Sequence, residues 1–276
     1  MRNSSLHICA LIPTYNNANT ILDVVRRTRK QLKDIIVVVD GCTDNTLGLL
    51  QELEFPVTIV SYPKNKGKGH ALKQGFRKAI ELGFEYALTI DSDGQHYPED
   101  IPLLIDAIKK HPGSMIIGSR KLTSENVPGK NKFANKFSNF WFRLQTHINL
   151  PDTQTGFRIY PLNKLYGLSL LTSRYEAELL LLVLAAWHNV PLLPVDIRVY
   201  YPPQEERVSH FRPALDFTRI SILNTILCVG AIIYGYPMMY WSTIYSFGLW
   251  SPLMLLIVQP LSLLYFLIFG KSEKSK

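Results

Sequence analysis

Tyr86–Lys110 reads YALTIDSDGQHYPEDIPLLIDAIKK, and three kinds of sequence follow one another in it. Tyr86 to Ile90 is a short apolar run of strand type. Asp91 and Asp93 stop it abruptly, one residue apart, with Gly94, Gln95 and His96 behind them, and from Pro98 to Lys110 the apolar residues take up helical spacing. Strand, acidic turn and helix in that order form part of a βαβ unit. Two carboxylates side by side at the end of a buried strand need a chemical reason.

The same alternation runs outward from this stretch. Strands are predicted at His7 to Ile12, Ile35 to Val39, Val57 to Ser61, Tyr86 to Ile90 and Met115 to Ser119, with helices at Ala18 to Leu32, Thr43 to Leu53, Gly69 to Leu82 and Pro98 to Lys110. Such alternation predicts parallel βαβ units, an α/β sheet of the open kind that binds ligands beyond the carboxyl ends of its strands. The five strands end in PTYNN, DGCTDNT, YPKNKGKGHA, DSDGQH and GSRK, so acids, lysines, glycines and an arginine converge on one rim. That collection suits a charged ligand of the polyphosphate kind.

Two carboxylates at i and i+2 reach one small volume only where the strand breaks, which Gly94 permits. Asp91, Asp93 and Gln95 would then offer hard oxygen ligands to Mg²⁺ or Mn²⁺, although an Asp pair at a strand end also serves a turn or a helix cap. In NKGKGHA, backbone N–H groups with Lys66 or Lys68 could approach a pyrophosphate at a helix N-terminus; a solvated glycine turn is the other reading. The segment lacks both the GxxxxGK[ST] and GxGxxG patterns, which disfavours an ATPase and a dinucleotide enzyme. Asp40 could accept hydrogen bonds from a base or ribose, and Asp44 suits the cap of the next helix.

The 276 residues carry a formal net charge of +8 and a pI near 9.3, yet no nucleic-acid motif or basic stripe with interleaved aromatics appears. Anionic lipid and a phosphorylated ligand account for the charge better. Ile220 to Trp241 and Thr243 to Gly270 contain no charged residue, and each meets the roughly 20 residues needed to cross a bilayer. Basic residues flank this block on both sides, which predicts a hairpin with both ends cytoplasmic; buried core helices or helices lying in the interface are the alternatives. The apolar run near the N-terminus is too short for a signal peptide, so the first 200 or so residues are expected in the cytosol. Lys130 to Leu150 is a basic, aromatic amphipathic helix that fits either a membrane surface or burial against the sheet, and a helix from Tyr175 to Trp187 and a strand around Leu192 to Tyr200 follow. Cys9, Cys42 and Cys228 show no metal-type spacing and read as reduced and structural.

Six motifs in order, IPTYNN, VVDGCTDNT, NKGKGHALKQGF, DSDGQHYPED, GSR and DTQTGFR, resemble the family 2 glycosyltransferases, specifically the polyprenyl-phosphate sugar transferases of the dolichol-phosphate-mannose type. The resemblance covers about residues 1–210 and implies a GT-A fold, Rossmann-like with a mostly parallel sheet; the two charge-free runs make 211–276 the expected juxtamembrane segment and two transmembrane helices. It implies that Pro13, Tyr15, Asn16 and Asp40 hold the nucleotide, with Lys68 near the diphosphate. Asp93 and Gln95 would bind the metal, with Asp91 beside the nucleotide sugar. Arg120 and Arg158 would meet phosphate charge, and Asp152 matches the acid proposed as catalytic base in this subgroup. Arg207 and Ser209 would contact the acceptor phosphate, in a segment ERVSHFR that is shorter than the family's element and has His210 where a lysine is expected. Glu176 and Glu178 fall near the sugar-facing acids of relatives, or on a leucine-rich helix they face solvent.

The leading expectation is a membrane-anchored, inverting, metal-dependent enzyme that moves a sugar from a UDP- or GDP-sugar to polyprenyl phosphate at the cytosolic leaflet. It would be an integral protein of the inner or plasma membrane, serving the cell envelope, with its catalytic domain and both termini cytoplasmic; a homo-oligomer is compatible with this. An acceptor bearing a lipid hydroxyl would require Asp152 to act as a true base. A non-catalytic nucleotide-sugar-binding scaffold is the alternative of another class, against which the full set of acids and arginines argues. A nucleotidyltransferase would want a glycine-rich, arginine-bearing N-terminal loop that LIPTYNNANT does not supply.

Overall fold

The structure is a computed structural model that describes residues 6–120, 129–165, 172–201 and 213–240. Its frame is a seven-stranded sheet. The first three strands are β1 (Ile8–Thr14), β2 (Ile35–Asp40) and β3 (Thr58–Tyr62), joined through α1 (Ile21–Gln31) and α2 (Thr46–Gln51). Next come α3 (Lys68–Glu81), β4 (Tyr86–Thr89), α4 (Ile101–Lys110), β5 (Met115–Arg120), α5 (Gly129–Thr146), β6 (Arg158–Pro161), α6 (Glu176–Trp187), β7 (Leu192–Ile197) and α7 (Pro213–Gly230). The strand order is β3-β2-β1-β4-β6-β5-β7.

Every residue of β1 and β2 is buried, as continuous Ile, Val and Leu runs require when helices cover both faces of a parallel sheet. On one face α3 and α6 pack, with Leu72, Phe76, Leu182 and Tyr160 in the core. On the other, α1 and α4 contribute Ile21, Val25, Ile101 and Leu104. Gly75 lies directly over Leu11, close enough that a Cβ would fall 2.2 Å from a methyl carbon, which lets α3 settle onto β1.

The five strands predicted in the first 120 residues form, within two residues at either end, and β1 to β4 are parallel as expected; the sixth, predicted around Leu192 to Tyr200, forms as β7 and stops at Ile197. The strand the sequence reading omitted is β6, four residues long, inserted antiparallel between β4 and β5. It carries part of DTQTGFRIYP back across the sheet, and β5 pairs parallel with β7 on its far side. The second helix is shorter than the expected Thr43 to Leu53, because Asp44 is spent on the loop, accepting from the backbone N–H groups of Ala18 and Thr46.

α5 ends at Thr146, where His147 turns the chain with φ of 56°. Its inner face buries Asn135, Phe142 and Gln145, and its outer face exposes Phe133, Phe140 and Leu144. α6 is buried along its whole length, Glu176 and Glu178 included, so the expectation that these acids face solvent is not met.

From Leu215 to Tyr240 the chain forms one helix of 26 residues, apolar and long enough to cross a membrane, with a π-helical turn at Ala231–Gly235. One side of it rests on α5 and α6. The Gln145 side-chain amide donates to the Asn224 carbonyl side chain at 2.8 Å, Trp187 packs on Gly230 and Gly235, and Tyr236 and Tyr240 still meet His147 near the end. The opposite side exposes Ile222, Ile226, Val229, Ile232 and Ile233. The second apolar run, 243–270, lies outside the described residues.

Candidate active site

The strand ends of the sheet open into a cavity of about 760 Å³. β1 supplies Pro13 and Thr14 with Tyr15 and Asn17 beyond it; β2 supplies Asp40; the loop into α3 supplies Asn65, Gly67 and Lys68. Asp91, Ser92, Asp93 and Gln95 follow β4, Arg120 ends β5, and Gln154, Arg174, Tyr175 and Glu178 close the far wall. Nine of the residues singled out in the sequence therefore line one cavity: Pro13, Tyr15, Asp40, Lys68, Asp91, Asp93, Gln95, Arg120 and Glu178.

Asp40 is 2% exposed, and its carboxylate is largely committed. It accepts from the backbone N–H of Lys66 at 2.7 Å, from that of Gly67 at 2.8 Å and from the Asn65 side chain at 3.1 Å. A carboxylate has about four acceptor positions, so little is left for a base or ribose, and pinning the glycine loop is the role this geometry gives Asp40. Gly41 makes the arrangement possible: at φ of +62° a Cβ there would sit 2.2 Å from the Asn65 backbone nitrogen. Asn16, at φ of 51°, turns away from the cavity and bonds Thr43, while its neighbour Asn17 reaches Ser92 Oγ at 2.9 Å and lines the wall. The sequence reading missed Asn17 because the strand runs two residues further than its apolar pattern, which shifts the following side chains.

Lys68, the first residue of α3, lies between two carboxylates, 2.7 Å from Asp91 and 3.0 Å from Glu178. Burial alone would lower its pKa, but the two acids outweigh burial and raise it; burial would likewise raise Asp91, which Lys68 holds below its usual value instead. For Asp93 the balance goes the other way, although it accepts from the Gln95 backbone N–H at 3.0 Å and feels the Lys68 charge. Burial, and after it the Asp91 charge, push its carboxyl up to about 6, and among the described residues it has no ion-pair partner.

This is the donor set a hard divalent cation fits: the Gln95 amide and two carboxylates, one of which, Asp93, has no ion-pair partner among the described residues. Among the described residues no group of three or more His, Cys, Asp or Glu forms a closed metal cage. Such a cation would therefore take its remaining ligands from water and substrate oxygens, as Mg²⁺ commonly does.

Asp152 and Arg158 are not among the residues that line the cavity. Asp152 is fully buried under Arg120. Its Oδ2 accepts from Arg120 Nε at 2.6 Å and its Oδ1 from Arg120 Nη2 at 3.0 Å, with the Asn135 side chain and the Gln154 backbone N–H also on Oδ1. Burial would raise its pKa, yet the Arg120 bonds outweigh burial and lower it, so the group is a poor base. Arg158 is also fully buried, donating to the Thr153 and Glu178 carbonyls at 2.8 and 3.0 Å. It ties β6 to α6. Arg207 and Ser209 lie outside the described residues. Gln154, Arg174, Tyr175 and Glu178 reach the wall because β6 doubles back and α6 begins over α3, a crossing that no local pattern announces.

The family described as "Glycosyl transferase family 2" matches residues 9–166. A UDP-N-acetylglucosamine–dolichyl-phosphate N-acetylglucosaminyltransferase of Methanococcus voltae is 33% identical over 215 residues, covering 70% of this chain and 86% of its own. An undecaprenyl-phosphate mannosyltransferase of Micrococcus luteus is 29% identical over 173 residues, 60% of this chain and 70% of its own. Among solved structures, glucosyl-3-phosphoglycerate synthase from Mycobacterium tuberculosis, in complex with Mn²⁺, UDP and phosphoglyceric acid, superposes with a TM-score of 0.61 at 16% identity, over 83% of this chain and 79% of that one. The last likeness is one of fold, and the sheet described above is of the GT-A type.

Proposed function

Since the chain belongs to glycosyl transferase family 2, we propose that it moves a sugar from a UDP- or GDP-sugar to a polyprenyl phosphate, with inversion at the anomeric carbon and with Mg²⁺ or Mn²⁺ as cofactor. The observation that carries this reading is the one cavity that Lys68, Asp91, Asp93, Gln95 and Arg120 line together. The names of the Methanococcus and Micrococcus relatives, both built on a lipid phosphate, support the acceptor class.

Asp93, Gln95 and Asp91 are the residues that would hold the cation, which when bound supplies Lewis-acid charge to the leaving diphosphate. Lys68 and the backbone N–H groups at the start of α3 add positive charge on the same side. Arg120 is held by Asp152 through Nε and Nη2, which leaves Nη1 for a phosphate oxygen. In the transfer itself a lipid-phosphate oxygen forms the new bond to the anomeric carbon. The bond from that carbon to the diphosphate breaks, and its electron pair leaves with the nucleoside diphosphate. A phosphate nucleophile is already ionised, so no proton has to be removed, in keeping with an Asp152 that is buried, bonded and held ionised. A lipid hydroxyl would need a base that Asp152 is badly placed to provide.

The domain of about residues 1–210 is the catalytic unit in this reading, and the apolar C-terminal region attaches it to the cytosolic leaflet. The helix from Leu215 to Tyr240 stays in contact with α5 and α6 to its end. This favours a helix that lies along the domain and enters lipid by its outer face, beside Phe133, Phe140 and Leu144 of α5, over a first crossing of a hairpin.

The test is transfer of radiolabel from a panel of UDP- and GDP-sugars into the organic phase, with protein in detergent, undecaprenyl phosphate and Mg²⁺ or Mn²⁺. A labelled lipid that mild acid releases as free sugar is the expected product. Label stable to mild acid, or none from any donor, would sink the lipid-phosphate reading.

A further inference from the structure

Behind Arg120 and Asp152 a chain of side-chain amides continues into α5. Asn135, 2% exposed, donates through Nδ2 to Asp152 Oδ1 at 2.6 Å. Its own Oδ1 accepts from Asn139 Nδ2 at 2.8 Å, one helical turn on, and Asn139 Nδ2 also donates to the Pro151 carbonyl at 2.8 Å. The Asn139 Oδ1 in turn accepts from the Thr153 backbone N–H at 3.1 Å and from the Thr153 hydroxyl at 2.8 Å.

The direction of this chain is fixed by its last member. A backbone N–H can only donate, so the atom of Asn139 that faces Thr153 must be its oxygen, and its nitrogen faces Asn135. Asn135 must then offer its oxygen to Asn139 and its nitrogen to Asp152. An amide at 135 is the one group of that size that satisfies both neighbours, since it accepts at one end and donates to a carboxylate at the other. A buried network in which every member is satisfied holds its parts rigidly; without the Asn135 donor, Asp152 keeps only the Gln154 N–H and Arg120 itself, so nothing from α5 fixes its orientation.

We propose that Asn135 is a positioning residue for Arg120: it clamps the Asp152 carboxylate in the orientation that aims the guanidinium into the cavity, with Asn139 holding the Asn135 amide in turn. The inference rests on the reading of the cavity as a sugar-transfer site, but its geometry does not. The same helix presents Phe133 and Phe140 outward, so one element serves the protein's surface and, from its inner side, the arginine of the site.

The test combines transfer kinetics with hydrogen exchange of the Arg120 Nε–H, read by NMR on protein labelled with ¹⁵N-arginine. Asn135→Ala should lower the transfer rate about tenfold to a hundredfold, the range in which small misplacements act. It should also turn a slowly exchanging Arg120 Nε–H into a fast one. Asn139→Ala, one bond further away, should do the same more weakly, and it serves if the first variant folds poorly. The double variant Arg120→Ala with Asn135→Ala should be no slower than Arg120→Ala alone, because a positioning residue has nothing left to position; a merely structural residue would add its own loss. Unchanged exchange at Arg120 together with additive rate losses would overturn the proposal. If the unaltered protein transfers no sugar, the functional reading fails, and the exchange measurement still decides the positioning role.

Discussion

The ammonium of Lys68 lies 2.7 Å from Asp91, so one of the two acids that end β4 is already neutralised by the protein. Glu178 shares the same ammonium at 3.0 Å. Lys68→Met would remove the ammonium that pairs with both Asp91 and Glu178, leaving Arg120 as the nearest remaining cation to Asp91 among the residues that line the cavity. Breaking such a pair costs about 3–5 kcal/mol when fully buried, and with Lys68 17% exposed the lower end applies. For a domain of this size that is a fall in Tm of roughly 6–12 °C. Transfer should fall about a hundredfold or more with loss of the charge beside the diphosphate. Thermal melts with and without Mg²⁺ check the assignment, since added cation should restore more stability to this variant than to the unaltered protein.

The same ion pair explains a glycine. A Cβ at Gly156 would lie 2.6 Å from Asp91 Oδ2 and 2.9 Å from Lys68 Nζ. Gly156→Ala should therefore leave the sheet intact and displace the pair, lowering kcat/KM about tenfold to a hundredfold. Gly94→Ala is the contrast: its Cβ would make only ordinary contact, with Thr20 Cγ2 at 3.8 Å, but its φ is +75°. That change should cost about 1 kcal/mol of stability and much less activity. Equal activity losses in the two variants would show that the crowding at Gly156 is not what matters.

The contrast also marks how far the sequence could be read. Strand ends carrying PTYNN, DGCTD, NKGKG, DSDGQ and GSR are local signals, and the sheet does gather Pro13, Asp40, Lys68, Asp91, Asp93, Gln95 and Arg120 on one rim. What stayed hidden depends on chain crossings. β6 is four residues long and antiparallel, too short to show a period, yet it decides that Asp152 and Arg158 point into the protein and that Gln154 points into the cavity. Glu178 sits on a helix buried on every side, so no polar stripe distinguishes the cavity-facing acid from its neighbours. Spacing identified the carboxylates, but only burial and partners separate Asp91, which Lys68 pairs with directly, from Asp93, which accepts only the Gln95 backbone N–H.

That separation makes the site's dependence on pH predictable. The Asp93 carboxyl is raised to about 6, chiefly by burial and then by Asp91, whereas the unfolded chain's aspartates titrate near 3.9. Between those values the folded state holds the extra proton. Metal-free protein should therefore lose stability from this group as pH rises from about 4 to about 6. A divalent cation needs the ionised form, so the gain in Tm on adding Mg²⁺ or Mn²⁺ should be small near pH 5 and larger above about pH 7. Asp93→Asn should abolish both that gain and transfer while leaving metal-free stability near neutral pH equal or higher. A metal-induced gain that is the same at both pH values would remove Asp93 from the metal site.

The orientation of the C-terminal helix can be read from depth. Ile226 and Ile233 are both exposed on its outer side, seven residues apart, which corresponds to about 10 Å along the axis. If the helix crosses the bilayer, spin labels at the two positions must differ in depth by most of that distance. A helix held along the domain by the Gln145–Asn224 bond and by Trp187 against Gly235 keeps both labels at one shallow level. The measurement is power-saturation EPR in vesicles containing anionic lipid, on Ile226→Cys and Ile233→Cys in a background with Cys9, Cys42 and Cys228 replaced. Equal, shallow depths are the expected result. Gly235→Leu should then push the helix off the Trp187 indole, which a Cβ there would already approach to 2.4 Å. It should lower stability by about 1–3 kcal/mol while both labels stay in lipid, because the outer face that holds them there is untouched.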